Sequence, residues 1–318
     1  MKIVALSGVE ADFQYELDRF SKRPDADFSL HIGKSKEEMM HLAAEADILL
    51  INAVVVDREM IDCLKHCKLI IRYGIGFDTI DYTYAAQKNI IVCNAPNYGA
   101  VDVAEHAVSL LLSCAKRLTL MNDCVREGKW NVSAMGTSWR LAGKTIGIVG
   151  FGRIARNVCT RTNAFGLKAL VYDPYVSQEV AQDYGAKAVS LDELLEQSDF
   201  VTLHLPLMES TYHLMSREQF RKMKKTAIFI NTSRGGLVCE ADLVDALEQK
   251  EIWGAGLDVF EKEQGMLDSR LLAMPNVTLT PHIAWNTCEA FRALHEEVTE
   301  NVVRFLDGNR PESIVNGL

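Results

Sequence analysis

Three polar clusters in the second half of the chain carry side chains that could move a proton and bind an acid. They are Asn231-Thr-Ser-Arg234-Gly-Gly, Asp258-Val-Phe-Glu261-Lys-Glu263 and Thr280-Pro-His282-Ile-Ala-Trp285. Histidine, with an ordinary pKa of about 6.5, gives and takes protons near neutral pH. A carboxylate such as Glu263 would hold the charged form of His282, and the planar guanidinium of Arg234 suits carboxylate and carbonyl oxygens. The clusters predict proton transfer at the oxygen of a bound oxo or hydroxy acid.

Each of these residues also has a purely structural interpretation. A lone histidine is commonly a hydrogen-bonded structural residue, Arg234 could cap a turn, and Glu263 could be solvated in a loop. Another histidine, His204 in Leu203-His-Leu-Pro206, also follows a strand, and for it we predict a structural or cofactor-contacting role. Because each cluster directly follows an apolar strand, the functional interpretation is favoured.

A glycine-rich turn supplies the element that would place these clusters beside a dinucleotide. The β-branched run Thr145–Val149 predicts a buried strand, and Gly150-x-Gly152-x-x-Ala155 follows it directly. This is the dinucleotide-binding fingerprint: Gly150 allows the tight turn, and Gly152 lets the backbone approach a pyrophosphate. The next helix directs its free N–H groups at that anion.

An acidic residue ends the strand that comes after the fingerprint helix. Asp173 lies 21 residues beyond Gly152 (173 − 152). A carboxylate there can accept hydrogen bonds from the ribose hydroxyls and would repel a 2′-phosphate. The stretch therefore predicts binding of NAD in preference to NADP.

The rest of the chain alternates short apolar strands with helical stretches, as in doubly wound α/β sheets. With 318 residues there is room for two domains. We predict one domain from residues 1–99 plus 285–318, and a second, 100–284, inserted into it. A long helix over 101–127 would connect them and could form a dimer surface. The turn Arg72-Tyr-Gly74-Ile-Gly76 follows a strand of the first domain and could bind an anion or be a plain tight turn.

Composition excludes several classes of function. A formal charge of −9 argues against nucleic acid and against an anionic membrane surface as partners. We expect no signal peptide, and the sequence has no apolar window long enough to span a membrane. The eight cysteines are scattered without metal-ligand spacing, so we expect reduced thiols in a cytoplasmic protein and no metal.

These motifs together resemble the D-isomer-specific 2-hydroxyacid dehydrogenase family from end to end. The shared motifs are Gly74-Ile-Gly76-Phe-Asp78, Val103-Ala-Glu105-His106, Gly150-Phe-Gly152-Arg-Ile, His204-Leu-Pro206, Asn231-Thr-Ser-Arg234-Gly, Leu257-Asp-Val-Phe260 and Pro281-His282-Ile-Ala-Trp285. The resemblance implies a Rossmann NAD-binding domain inserted into a flavodoxin-like substrate domain. It also implies that Arg234, Glu263 and His282 are the catalytic trio of an NAD-dependent enzyme, normally a homodimer.

The resemblance also implies the residues that surround the reactants. The substrate would meet Arg234 and Trp285, and its carboxylate would lie on the turn formed by Tyr73, Gly74, Ile75 and Gly76. The cofactor would contact Gly150, Gly152, Arg153, Ile154, Asp173, His204, Pro206, Thr211, Thr232, Ser233 and Asp258.

Two departures and the choice of substrate leave alternatives open. Relatives often carry proline after the catalytic glutamate, where this chain has Gln264, and Glu261 could take the role of Glu263 if the register shifted. The motif around Trp285 resembles the glycerate dehydrogenase and hydroxypyruvate reductase branch, which favours a small substrate such as glyoxylate, hydroxypyruvate or glycerate. A phosphoglycerate dehydrogenase without its regulatory domain, with Arg72 at the phosphate, is a second interpretation. A dinucleotide-sensing protein like the corepressors built on this scaffold is a third.

Overall fold

The computed structural model describes residues 1–10, 12–130, 136, 138–263 and 267–318. The chain divides into two compact units, one formed by Met1–Gly99 with Thr287–Leu318 and the other by Ala100–Asn286. The second unit is thus an insertion in the sequence of the first, and its last residue lies two positions beyond the predicted boundary at 284.

The first unit is built on a parallel sheet. Its strands are β1 (Lys2–Ser7), β2 (Asp27–Ile32), β3 (Ile48–Asn52), β4 (Leu69–Arg72) and β5 (Ile91–Cys93). Within the described ranges they pair in parallel in the order β2-β1-β3-β4-β5. The apolar runs of β1, β3 and β4 are buried, as expected for a sheet covered on both faces. This strand order is flavodoxin-like.

Four helices of the first unit alternate with its strands: α1 (Gln14–Phe20), α2 (Lys36–Ala43), α3 (Arg58–Cys63) and α4 (Tyr82–Gln87). Local sequence explains where three of them begin, because Ser35, Asp57 and Asp81 each accept a hydrogen bond from the first turn of the helix that follows.

The second unit holds a larger parallel sheet. Its strands are β6 (Thr145–Val149), β7 (Lys168–Tyr172), β8 (Ala186–Ala188), β9 (Phe200–Leu203), β10 (Ile228–Asn231), β11 (Gly254–Leu257) and β12 (Val277–Leu279). In the described part of the chain they pair in the order β12-β11-β10-β9-β6-β7-β8. The chain adds β7 and β8 on one side of β6 and then returns to add β9 to β12 on the other. This Rossmann topology places its switch point between β6 and β9, where ligands bind in such sheets.

The helices of the second unit are α5 (Ala100–Lys116), α6 (Leu118–Arg126), α7 (Arg153–Ala164), α8 (Gln178–Gln182), α9 (Leu191–Gln197), α10 (Arg217–Lys222), α11 (Glu240–Glu248) and α12 (Ser269–Ala273). The prediction of one helix over 101–127 is wrong, because Arg117 adopts a left-handed backbone with φ 56° and separates α5 from α6. A left-handed arginine leaves no trace in the apolar pattern, since its side chain carries no preference for that conformation.

The chain returns to the first unit through α13 (Cys288–Leu306) and the segment that follows it. This last segment lies along β5: Cys93 bridges Ile314 in antiparallel fashion, and the Val315 N–H donates to the Val92 carbonyl over 2.9 Å. The two units confirm the predicted α/β class, with one flavodoxin-like and one Rossmann sheet. None of the described helices combines the length and apolar character that a membrane crossing requires.

Candidate active site

The predicted clusters of the second unit lie at the carboxyl edge of its sheet. Arg234 follows β10, Glu263 follows β11 and His282 follows β12, and these three strands are direct neighbours. Parallel strands end at the same edge, so chain segments far apart in sequence meet there. His204, after β9, and Gly150, after β6, continue the same row.

His282 is paired with a carboxylate and held in an unusual backbone conformation. Its Nδ1 lies 3.0 Å from Oε2 of Glu263, and both side chains are partly exposed, at 38% and 41%. The φ of His282 is 56°, a left-handed value that costs free energy for a residue other than glycine. Its N–H donates to the carbonyl of Asp258 over 2.8 Å, which helps to hold this conformation. The pairing leaves Nε2 as the ring nitrogen that can exchange a proton with a ligand.

The ionisation of Glu263 is set by opposing effects. Burial disfavours the charged carboxylate, but the hydrogen bond and charge of His282, the Phe260 backbone and the Arg234 charge outweigh it and lower the pKa of Glu263. Glu263 is therefore ionised at neutral pH. The influence of Arg234 also shows that all three predicted residues share one electrostatic environment.

Arg234 is presented by a turn that Asn231 shapes. The side chain of the buried Asn231 donates to the Arg234 carbonyl over 2.9 Å and accepts from the Ser233 N–H over 3.0 Å. The Ser233 hydroxyl donates to the Leu203 carbonyl of the neighbouring strand. Asn231 was in the predicted cluster only as a neighbour, and its shaping of the turn was missed.

Asp258, predicted as a cofactor contact, braces the loop that carries His282. It is fully buried, and its carboxylate accepts from the Thr280 hydroxyl over 2.6 Å and from the N–H groups of Ile283 and Ala284, each over 2.9 Å. His106 lies behind it, with Nε2 3.0 Å from the Thr280 hydroxyl. A carboxylate with three such donors fixes the path of residues 280–284.

We expect Asp258→Ala to lower the free energy of unfolding by roughly 2–4 kcal/mol, because it leaves buried N–H groups without an acceptor. Thermal unfolding of the purified variant would measure this loss. Asp183→Ala, at an exposed aspartate, is the control and should unfold like the unaltered protein. Equal melting of the two variants would contradict the bracing role.

Glu261, the alternative to Glu263 as the partner of His282, forms its contacts with other residues. Its Oε1 lies 2.6 Å from Nε2 of His213, and Oε2 accepts from the Glu240 N–H. Within the described residues Glu263 is the carboxylate paired with His282. Gln264, which replaces the common proline, lies outside them.

The fingerprint turn has the features that a dinucleotide needs. Gly150 has φ 84°, and a Cβ on it would lie 2.5 Å from the His204 carbonyl oxygen. Apart from its chain neighbours, no described heavy atom lies within 4 Å of the place a Cβ would take on the exposed Gly152, the N-cap residue of α7. Glycine has no capping side chain, so the first N–H groups of α7 can receive a phosphate. The carboxylate of Asp173 braces the turn, accepting from the Phe151 N–H over 2.7 Å and the Tyr175 N–H over 2.9 Å.

Two buried polar atoms at the same edge of the sheet have no hydrogen-bond partner among the described residues: His204 Nδ1 and Thr232 Oγ1. Such atoms are costly unless a ligand or water completes them, so they fit a bound cofactor. Burial lowers the pKa of His204 to about 3, so its ring is neutral at physiological pH. Its Nε2 lies 2.9 Å from the Thr202 hydroxyl.

The remaining predicted cofactor residues are spread along the same edge. Thr211 closes the loop after β9 by accepting from the Met208 N–H and donating to the Pro206 carbonyl, each over 2.8 Å. Arg153 and Ile154 begin α7. Trp285, predicted to contact substrate, lies at the end of the segment braced by Asp258.

The predicted anion-binding turn belongs to the first unit. The Tyr73 side chain is buried and donates to Glu16 Oε1 over 2.8 Å, where His295 Nδ1 also lies within 2.6 Å. Ala95 N–H donates to the Gly74 carbonyl, and the Asn94 side chain donates to the Ile75 carbonyl. The Arg72 guanidinium donates to the Tyr73 carbonyl. The carbonyl oxygens of Tyr73, Gly74 and Ile75, which would repel an anion, are thus held by the protein, and Gly76 follows them.

Within the described ranges, no three His, Cys, Asp or Glu side chains are grouped so that they could hold a metal ion. A Rossmann sheet with the fingerprint at its switch point and a histidine–carboxylate pair at the same edge defines a nicotinamide-dependent oxidoreductase.

Comparisons with known proteins identify the family. The family model described as "D-isomer specific 2-hydroxyacid dehydrogenase, NAD binding domain" matches residues 108–284. The chain is 36% identical to a glyoxylate reductase of Korarchaeum cryptofilum, over 98% of this chain and 92% of the relative. It is 40% identical to a hydroxypyruvate reductase of Thermotoga maritima, over 85% of this chain and 88% of the relative. This chain belongs to the D-isomer-specific 2-hydroxyacid dehydrogenase family.

Comparison with solved structures also points to this family. The fold is similar to that of a D-lactate dehydrogenase of Aquifex aeolicus complexed with NAD and lactic acid, with a TM-score of 0.84 and 30% identity over 96% of each chain. The chain also spans about half the length of the D-3-phosphoglycerate dehydrogenases that it matches. The predicted family, fold class, oxidoreductase class and NAD cofactor are confirmed.

Proposed function

We propose that this protein reduces a small 2-oxo acid to the D-2-hydroxy acid with NADH, and that Arg234, Glu263 and His282 carry out the reaction. The observation that carries the proposal is the 3.0 Å contact between His282 Nδ1 and the Glu263 carboxylate, at the strand edge that also bears the fingerprint. Such a pair keeps a proton available to a ligand near neutral pH.

In this proposal each residue has a distinct task. Arg234 binds the carboxylate and the carbonyl oxygen of the oxo acid, which fixes its orientation and polarises the carbonyl. Bound NADH supplies the hydride that C2 accepts. His282 donates its Nε2 proton to the carbonyl oxygen, and Glu263 stabilises the charged imidazole before that transfer. In the opposite direction neutral His282 takes the hydroxyl proton back.

For the substrate we propose glyoxylate or hydroxypyruvate. The names of the two reductases with nearly full-length similarity support this choice. The bulky Trp285 beside His282 would favour a short substrate side chain. The anion-binding role of the Tyr73–Gly76 turn stays a prediction for the first unit.

A panel of 2-oxo acids tests the proposal. NADH oxidation is followed with glyoxylate, hydroxypyruvate, pyruvate, phosphohydroxypyruvate and a branched and an aromatic example. We expect turnover, with the highest kcat/KM for glyoxylate or hydroxypyruvate. No turnover of any oxo acid by protein that still binds NADH would contradict the proposal and favour a dinucleotide-sensing role.

Phosphohydroxypyruvate is in the panel to test a second candidate function, that of a phosphoglycerate dehydrogenase. In that case Arg72, whose guanidinium packs over the Gly74 turn, would bind the phosphate. If a phosphorylated substrate were the physiological one, Arg72→Ala would weaken its binding far more than that of glycerate. If Arg72→Ala weakened binding of the phosphorylated substrate and of glycerate equally, the phosphoglycerate dehydrogenase function would be excluded.

We also propose a cytoplasmic homodimer that uses α6. None of the nine residues of this helix, all described, is buried, although Leu118 and Val125 are apolar and 56% and 51% exposed. Leu118, Met121 and Val125 lie on one face, at helical spacing. An apolar face left outside the fold of a single chain suits a second copy in a twofold dimer.

We expect the protein to sediment as a dimer at micromolar concentration and the double variant Leu118→Asp/Val125→Asp to sediment as a monomer. Leu272→Asp, at an equally exposed leucine of α12, is the control and should remain dimeric. Unaltered protein that sediments as a monomer would contradict the proposal.

A further inference from the structure

Three loops at the carboxyl edge of the second sheet meet at one pair of side chains, His213 and Glu261. The β9 loop (204–213) carries the predicted cofactor contacts Pro206 and Thr211. The β10 turn (232–236) carries Arg234, and the β11 loop (258–263) carries Glu263. Neither His213 nor Glu261 has a role in the proposed reaction.

His213 connects the β9 loop to both of the others. Its ring Nε2 lies 2.6 Å from Glu261 Oε1, and its backbone N–H donates to the Gly236 carbonyl over 2.9 Å. The residue has φ 51°, in the left-handed region, so its backbone is held in a conformation that only a few residue types tolerate. Both side chains are largely covered, with exposures of 31% and 27%.

Glu261 connects the β11 loop to the β10 turn and to the start of α11. It exchanges two hydrogen bonds with Glu240: each backbone N–H donates to the other residue's carboxylate, over 3.0 and 3.1 Å. Gly235 lies so close that a Cβ on it would overlap the Phe260 backbone. The turn with Arg234 and the loop with Glu263 are therefore packed backbone against backbone.

Two carboxylates lie close together at this junction. Burial, and then the negative charge of Glu261, raise the pKa of Glu240, so two carboxylates face each other there. His213 Nε2 lies 2.6 Å from Oε1 of one of these carboxylates, that of Glu261.

We propose that His213 and Glu261 are a positioning pair that holds the three loops together, so that cofactor binding and the placement of Glu263 against His282 depend on each other. The proposal rests on the proposed function for its effect on turnover. Its effect on NADH binding is independent of that function.

His213→Asn and Glu261→Gln test the proposal. Asparagine tolerates the left-handed backbone at 213 but removes the imidazole, and glutamine keeps an acceptor for the Glu240 N–H but removes the charge. The control is Glu251→Gln, which removes the charge of a similarly covered glutamate that pairs with Arg221 over 3.2 Å, just before β11 and on the opposite edge of the sheet. Measurements are kcat and KM for the best oxo acid, NADH affinity by fluorescence titration, the pH profile and the melting temperature.

We expect each variant to lose about 10- to 100-fold in kcat/KM, the size of one hydrogen bond to a charged group, and to bind NADH several-fold more weakly. The acid limb of the pH profile should move to higher pH, because a displaced Glu263 loses the His282 contact that lowers its pKa. The double variant should be no worse than either single variant, since the two side chains act as a unit.

The proposal is overturned if NADH affinity and the pH profile stay at the level of the control, even when the melting temperature falls, since that is a purely structural effect. If Glu261→Gln does not fold, His213→Asn alone tests the proposal. Should the unaltered protein turn over no oxo acid, the proposed function fails, while the NADH titration still decides whether the pair holds the cofactor loop.

Discussion

Replacing His282 by asparagine should lower kcat for oxo-acid reduction by about three orders of magnitude and leave NADH affinity within about twofold. The variant loses the proton donor, yet asparagine tolerates the left-handed φ of 56° at this position. The braced loop should therefore keep its path, and the loss should report chemistry rather than folding. Alanine would mix the two effects, because its backbone disfavours that conformation.

Two comparisons sharpen this test. His66→Asn, at an exposed histidine of the first unit, should keep full activity. His204 is the competing proton donor, but a pKa of about 3 leaves it uncharged at neutral pH. If a variant at His204 lost turnover while His282→Asn retained it, His204 and not His282 would be the proton donor. Glu263→Gln should retain a hydrogen bond to His282 but removes the negative charge beside it, so kcat for reduction should fall.

Replacing Arg234 by alanine should raise KM for the oxo acid and lower kcat/KM by about 10³-fold. The guanidinium is expected to form charge-assisted bonds to a carboxylate, and losing such contacts costs about 2–5 kcal/mol. Lysine should restore little, because it lacks the planar fork that meets two oxygens at once. Steady-state kinetics with a varied oxo acid, beside NADH titration, separates loss of substrate binding from loss of cofactor binding.

Arg234→Ala should also shift the pH profile of the enzyme, in a direction that follows from the charge removed. The Arg234 charge is one cause of the lowered pKa of Glu263, so removing it should raise that pKa and move the acid limb of the profile to higher pH. The stabilisation that the Glu263 carboxylate contributes is complete above the ordinary glutamate pKa and is lost as pH falls through its lowered pKa in the folded protein. Arg217→Ala, at a half-exposed arginine of α10, is the control. An unchanged KM in Arg234→Ala would remove this residue from the substrate site.

The parts of the site that sequence could predict are those whose chemistry demands a residue type at a strand end. The fingerprint glycines, Asp173 and the three polar clusters are of this kind, since each is recognised from a few neighbouring residues. The apolar runs likewise predicted both sheets. The three-residue edge strand β8 was not predicted, because Ala186-Lys-Ala188 is too short to show a pattern.

What sequence could not predict depends on contacts between distant residues. The bracing role of Asp258 was not predicted, because its partners Ile283 and Ala284 lie 25 and 26 positions away and are backbone groups. The Tyr73 hydroxyl meets Glu16, 57 residues earlier, and the His213–Glu261 contact spans 48. A single sequence carries no signal for such pairs. It also does not predict the left-handed backbone of His282 and Arg117.

The position of the second unit within the sequence of the first has a consequence for synthesis. Residues 287–318 supply α13 and the segment that pairs with β5, and the ribosome delivers them only after the whole inserted unit. The inserted unit is continuous and can fold as soon as it emerges, whereas the first must wait with β5 uncovered. A chain truncated after residue 290 should resist protease over 100–286 while residues 1–99 are still cleaved.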